Sequence, residues 1–226
     1  MPEIDFSRPV LAIDSGTAVL SLALRAGGEY CVFQEDCGNR QSERLLPVLH
    51  ELLAQAHIRV RDVAAIVYNQ GPGMFTGLRI GIGVAQGLAA PFGTPLIGVP
   101  SLDAVAAQLA PHECVLAAID ARMGEVFYAW FDTVNHQRLS DYAVDKAENI
   151  RLPENMSVTP QGCGNAFVQP IVGIAGSLNM PDAKAFLELA AGGRYAAKSA
   201  ANASLLYVRD KIALTAAEQA AAKAAR

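Results

Sequence analysis

Apolar residues along this chain come in short runs that end in turn formers and in longer stretches with helical spacing. The runs VLAID (Val10–Asp14), VLSLALRAG (Val19–Gly27) and EYCVFQE (Glu29–Glu35) predict three successive strands around Gly27-Gly28, an antiparallel meander. From Ser42 to His57, residues Leu45, Leu46, Leu49, Leu52, Leu53 and Ala56 form one stripe of an amphipathic helix, with Pro47 tolerated near its first turn. VAAIVYN (Val63–Asn69) is a buried strand, followed by the breaker GPG and a helix that Thr76 is expected to cap and that ends before Pro91. PLIGV (Pro95–Val99) is a further strand, and Ser101 is expected to cap a helix running through Ala110. Strand alternating with helix predicts a sheet with parallel members, covered by helices.

Near Pro111 the pattern restarts. VLAAID (Val115–Asp120) repeats the sense of VLAID, and EVFYAWFD (Glu125–Asp132) pairs with it across the turn ARMG, a hint of internal duplication. Between Ser140 and Gly176 only short fragments occur. DAKAFLELAAGG is a helix ending at Gly192-Gly193, and LLYVRDKIAL returns as an irregular segment. The terminal TAAEQAAAKAAR has high helix propensity but no stripe to bury, so a frayed or disordered tail is expected. The resulting division is a first lobe over 1–110, a smaller lobe over 111–213 and a tail over 214–226.

Composition narrows the picture. A chain of 226 residues, 52% hydrophobic and 18% charged, is globular and long enough for one large domain or two small lobes. A net charge of -4 and a pI near 5.6 offer no long-range attraction to a phosphate backbone, which argues against unaided tRNA binding. Cys31, Cys37, Cys114 and Cys163 form no C-x-x-C pair and read as reduced thiols, so a cytoplasmic location is expected. The start MPEIDFSRP has acids and prolines where a signal peptide needs an apolar stretch. The longest apolar region, Ile80 to Phe92, is broken by Gln86 and Pro91 and is shorter than the ~20 residues of a membrane span, so no membrane association is expected.

Three segments carry candidate chemistry. In AIDSGT, Asp14 ends a strand and Ser15, Gly16 and Thr17 turn the chain; the amides of Gly16 and Thr17 would cradle phosphate oxygens while Asp14 holds a magnesium water shell. An ordinary turn is the plain alternative. In AAIDARMGEV, Asp120 occupies the matching place and would face the same cleft, or else Asp120 simply belongs to a hairpin with Arg122 and Glu125 solvated. In NQGPGMFTGLRIGIGVAQGLA, Gly77, Gly81, Gly83 and Gly87 lie in one helix, each costing about 1 kcal/mol against alanine unless close backbone approach compensates. Arg79, Gly83, Gln86 and Ala90 share a face, and Leu78, Ile80, Ile82, Val84, Ala85 and Leu88 fill nearly all the rest. One sheet cannot bury that circumference, so a second protein surface is expected; the alternative is a helix wholly buried in its own chain. His50, His57, His112 and His136 form no HExxH motif, and neither a G-x-S-x-G elbow nor a P-loop is present.

AIDSGT, SERLLP, GPGMFTGLRIGIGVAQGLA, PLIGVPSLDA, AAIDARMGEVFYAWF and a terminal YVRDKIA stand in the order and spacing of the bacterial TsaB (YeaZ) family. The chain resembles that family closely from Val10 to about Trp130 and beyond it only through the YVR segment. The resemblance implies an α/β fold of actin-like (ASKHA, ribonuclease H-like) type, duplicated into two lobes. It also implies a non-catalytic partner role in making N6-threonylcarbamoyladenosine at position 37 of ANN-decoding tRNAs, beside the catalytic paralogue TsaD and the ATPase TsaE, with tRNA reached only through the complex. The paralogue carries H-x-x-x-H in the helix after its equivalent of PLIGV, whereas here Ser101 and Val105 stand at those places, so no metal is implied. No cofactor is required by this chain alone; the cleft residues Asp14, Ser15, Gly16, Thr17 and Asp120 would form a vestigial nucleotide site, with weak ATP or ADP and magnesium. By the same resemblance, the helices starting at Ser42 and Thr76 would pack on their counterparts in TsaD. The expected contacts are Glu43, Arg44, Val48, Glu51, Phe75, Arg79, Ile82, Gly83, Gln86 and Gly87, and the isolated chain would form a homodimer through the same surface. The rivals are a free-standing small-molecule kinase of this fold and a glycoprotease-like peptidase.

Overall fold

The computed structural model describes residues 4–154 and 158–208. β1 (Val10–Asp14), β2 (Val19–Ala26) and β3 (Glu29–Asp36) form the expected antiparallel meander. α1 (Gln41–Gln55) leads to β4 (Ala65–Gly71), which lies parallel to β1. α2 (Phe75–Ala89) then leads to β5 (Leu96–Pro100), parallel to β4, and α3 (Ser101–Ala106) leaves the sheet. β1 is apolar up to its terminal Asp14 because both its faces are covered. Leu11 and Ile13 pack with α1 and α2, and Val10 and Ala12 pack with Phe186 and Leu187 on the opposite face.

The second sheet repeats this scheme. β6 (Val115–Asp120) pairs antiparallel with β7 (Glu125–Asp132), and β8 (Gln137–Arg138) and β9 (Ala143–Lys146) extend from β7. β10 (Gln161–Cys163) runs parallel to β6 and β11 (Gly176–Ser177) parallel to β10. β6 thus has an antiparallel hairpin partner on one side and a parallel strand on the other, as β1 has. The duplication hinted at by VLAID and VLAAID is a duplication of pairing, and the fold is the two-lobed actin-like type.

Four expectations need correction. Residues 183–198, assigned to the second lobe, return to the first: α4 (Ala183–Ala191) packs against β1 and β2, and β12 (Ala197–Lys198) pairs antiparallel with β5. Phe186 and Leu187 are both buried there, at about 2 kcal/mol of transfer free energy each, which fixes α4 on the first sheet. Thr76 does not cap α2, which starts at Phe75 with Met74 as the preceding residue and no side-chain cap. Ser101 is the first residue of α3 rather than its cap, because its hydroxyl donates to Asn69 Oδ1 at 2.5 Å, and the helix stops at Ala106. Pro47 lies deeper in α1 than its first turn. The expected tail over 214–226, and most of LLYVRDKIAL beyond Val208, lie outside the described residues.

Candidate functional site

β1 and β6 end at Asp14 and Asp120, and both carboxylates line one cavity of about 380 Å³ between the lobes. Gly16, Thr17, Gln34, Gly73, Arg122 and Asn165 share its walls. Asp14 is buried, and its Oδ1 accepts from the Gly16 amide at 2.9 Å and from Asn69 Nδ2 at 2.7 Å. Asn69 Oδ1 in turn accepts from the Gly71 amide at 2.8 Å and from Ser101 Oγ. The cleft floor is therefore a closed polar chain running from the end of β1 through the end of β4 to the start of α3. Burial pushes the Asp14 carboxyl up to about 6, against the opposing pull of the hydrogen bonds from Asn69 and Gly16, and the charge of Asp182 pushes the same way as burial.

Asp120 is the more exposed partner. Its Oδ1 accepts from the Arg122 amide at 2.8 Å, and its amide donates to Asn165 Oδ1 at 2.8 Å. Arg122 and Met123 both adopt positive φ, 64° and 57°, so a tight left-handed turn sets Arg122 on the cleft wall. Among the described residues, no three His, Cys, Asp or Glu side chains come together.

One of the two amides expected to cradle phosphate, and Ser15 of the expected nucleotide site, are used elsewhere. The Gly16 amide is spent on Asp14, and Ser15 turns away from the cleft to donate from Oγ to the Gly77 carbonyl at 2.8 Å. Thr17 lines the cavity, with its hydroxyl bonded to the Val19 amide and carbonyl at 3.1 and 3.3 Å. Asn69 and Asn165, which hold the two carboxylate loops in place, carry no local sequence signal beyond lying near the ends of β4 and β10. Their partners are 55 and 45 residues away.

On α2, two different causes account for the four glycines. A Cβ at Gly77 would strike the Ser15 carbonyl, and one at Gly81 would sit 2.5 Å from Ser15 Oγ, so these two permit the β1–β2 turn to lie against the helix. Gly83 and Gly87 meet nothing within 4 Å and are exposed. The expectation that another protein must cover the helix is corrected in part, because residues 200–207 of this chain strap across it. Gln86 Nε2 donates to the carbonyls of Ala200 and Ala203 at 2.9 and 3.2 Å. The Leu206 amide donates to the Gln70 carbonyl at 2.8 Å, and the Tyr68 hydroxyl donates to that of Ser204 at 3.0 Å.

The candidate contact residues separate accordingly. Phe75, Arg79, Gly83 and Gly87 form an exposed stripe at four-residue spacing, and Glu43 and Glu51 are exposed on α1. Arg79 stacks on the Phe75 ring at 3.5 Å and donates to the Tyr207 hydroxyl at 3.3 Å. Val48 and Ile82 are only 2% and 8% exposed, so they belong to the home core rather than to a contact surface. Arg44 is held by Glu35 through Nη2 at 2.6 Å, and Gln86 by the strap.

Comparison with known proteins fits this architecture. Residues 31–221 match the family model described as TsaD: tRNA N6-adenosine threonylcarbamoyltransferase. The chain is 43% identical over 123 residues to the Escherichia coli K12 "tRNA threonylcarbamoyladenosine biosynthesis protein TsaB", covering 53% of each chain. It is 40% identical over 123 residues to the Haemophilus influenzae protein of the same name, covering 53% of this chain and 52% of that one. The chain thus spans about half the length of the curated relatives it matches. The solved structure of YeaZ from Pseudomonas aeruginosa superposes with a TM-score of 0.77 at 32% identity, covering 88% of this chain and 99% of that one. This chain therefore belongs to the TsaB (YeaZ) family, within the wider family that the transferase model describes.

Proposed function

We propose that this chain is a non-catalytic partner subunit in the formation of N6-threonylcarbamoyladenosine on tRNA, working beside the catalytic paralogue TsaD and the ATPase TsaE. The relatives' own name, threonylcarbamoyladenosine biosynthesis protein, supports the pathway. The non-catalytic part is carried by one observation on α3. Ser101 and Val105, at the places where the resemblance puts the paralogue's two histidines, are both buried and committed to this chain's interior. The Ser101 hydroxyl is bonded to Asn69, and the Val105 side chain packs with Leu102, Val115 and Ile119. The same scaffold serves docking once its chemistry is gone. The docking surface is the exposed stripe of α2, Phe75, Arg79, Gly83 and Gly87, with Glu43 and Glu51 of α1 beside it. The isolated chain pairs with a second copy through that surface.

The test is reconstitution with TsaD, TsaE, tRNA, threonine, bicarbonate, ATP and the enzyme that makes the threonylcarbamoyl adenylate, read by chromatography of digested tRNA. Modified nucleoside is expected to accumulate only when this chain is added. Equal accumulation without it overturns the proposal.

The shared cavity of Asp14 and Asp120 keeps a second possibility in view, nucleotide turnover by the chain alone, as in kinases of this fold. ATP hydrolysis by the purified protein that disappears in Asp14→Ala would favour it over a docking role.

A further inference from the structure

Away from the cleft, two tyrosine hydroxyls from separate segments meet at the half-buried carboxylate of a third, Asp103. Asp103, in the first turn of α3, accepts from the Tyr142 hydroxyl on Oδ1 at 2.5 Å and from the Tyr195 hydroxyl on Oδ2 at 2.9 Å. Tyr142 comes from the connection between β8 and β9, in the second sheet. Tyr195 comes from the connection between α4 and β12, which belongs to the first. α3 lies between the two sheets, its Ala104 in the core of the first and its Leu102, Val105 and Ala106 in the core of the second. One carboxylate thus holds a tyrosine from each lobe.

Packing alone does not call for this arrangement. Taking a carboxylate even partly out of water is costly unless it is well bonded, and an apolar residue of similar volume would fill the space at less cost. Hydroxyl-to-carboxylate bonds differ from apolar contacts in being directional and replaceable by water. Asp103 borders a cavity of about 300 Å³ lined also by Arg138, Arg194 and Tyr195, from which water can reach it. The Arg138 guanidinium stacks over the Tyr142 ring at 4.1 Å and holds that tyrosine on the second-lobe side. Burial raises the Asp103 carboxyl above its ordinary value despite the tyrosine hydrogen bonds and the nearby charges of Arg138 and Arg194.

We propose that Tyr142, Asp103 and Tyr195 form a latch between the lobes that sets the width of the cleft bordered by Asp14 and Asp120. The latch reaches the cleft through α3, because Ser101, two residues before Asp103, is bonded to Asn69 and through it to Asp14. Since the two hydroxyls share one carboxylate, the bridge is broken by the loss of either.

Spin labels at Val32→Cys and Val168→Cys, both exposed and one in each lobe, report the interlobe distance in a Cys31→Ser background. Tyr142→Phe and Tyr195→Phe are each expected to lengthen and broaden the distance distribution, and the double variant to match either single one. An unchanged distribution in either single variant overturns the latch, as does a double-variant shift equal to the sum of the two. Should the phenylalanine variants fail to fold, Asp103→Leu removes both acceptor oxygens at similar volume. The same broadening is then expected, and a distribution identical to that of the unsubstituted protein refutes the proposal.

Discussion

Asp14 has to give up water to occupy the end of a buried strand, and two donated hydrogen bonds do not fully replace it. Its carboxyl titrates near 6 in the folded protein, against an ordinary value of 3.8. Between those two values the folded state keeps a proton that the unfolded chain has lost, so stability falls as pH rises through this window and levels off above it. The effect is on the order of 3 kcal/mol at full ionisation. Asp14→Asn keeps an oxygen to accept from Asn69 and Gly16 but has no proton to lose. Urea denaturation at pH 4, 5, 6 and 7 is expected to give a smaller fall in stability for Asp14→Asn than for the unsubstituted protein; identical slopes would contradict the buried-carboxylate picture. Both acids of the cleft were legible as residues that end apolar runs and precede turns. Asn69 and Asn165 were not, because an amide that holds a carboxylate loop from another strand leaves no trace in its own neighbourhood. Ser15, Thr76 and Ser101 escape a local reading for a related reason. A hydroxyl near a turn suggests a cap or a ligand contact, but which way it points depends on what packs there.

At the scale of elements, α2 concentrates the contrast between covered and uncovered glycines. Gly77→Ala would push a methyl group into the Ser15 carbonyl, and overpacking of this kind costs about 1 to 3 kcal/mol. Gly83→Ala adds a methyl group in open space and gains helix propensity, about 1 kcal/mol or roughly 2 to 4 °C in melting temperature. Thermal melts of the two single variants are expected to shift in opposite directions. A fall of similar size in both would mean that the exposed glycines are needed by the fold itself. The periodicity of α1 placed Leu45, Leu49, Leu52 and Leu53 of its buried stripe, since an amphipathic stripe is a property of residues a few positions apart, but Leu46, expected in the stripe, is exposed, and Val48, expected at a partner contact, is buried. For α2 the same reasoning left the covering surface open, because its strap comes from residues 200–207, far along the chain.

For the whole molecule, the proposed assembly uses the exposed stripe of α2. Light scattering behind a sizing column is expected to find a dimer that dissociates on dilution, and Gly83→Glu to weaken it about tenfold or more, equivalent to about 1.4 kcal/mol. A chain that stays monomeric at high concentration argues against self-association through α2. Among the described residues no helix is long and apolar enough to cross a membrane, in line with the broken run from Ile80 to Phe92. Strand and helix positions, the meander, the repeated strand-into-aspartate signature and the apolar excess of α2 can all be read along the chain, because hydrophobic period and turn chemistry act between near neighbours. The return of α4 and β12 to the first sheet, the loss of Ser15 and the Gly16 amide from the cleft, and the meeting of Tyr142 and Tyr195 on Asp103 emerge only on folding. Each depends on groups brought together from distant positions, where packing and the cost of leaving a buried polar atom unbonded choose the partner.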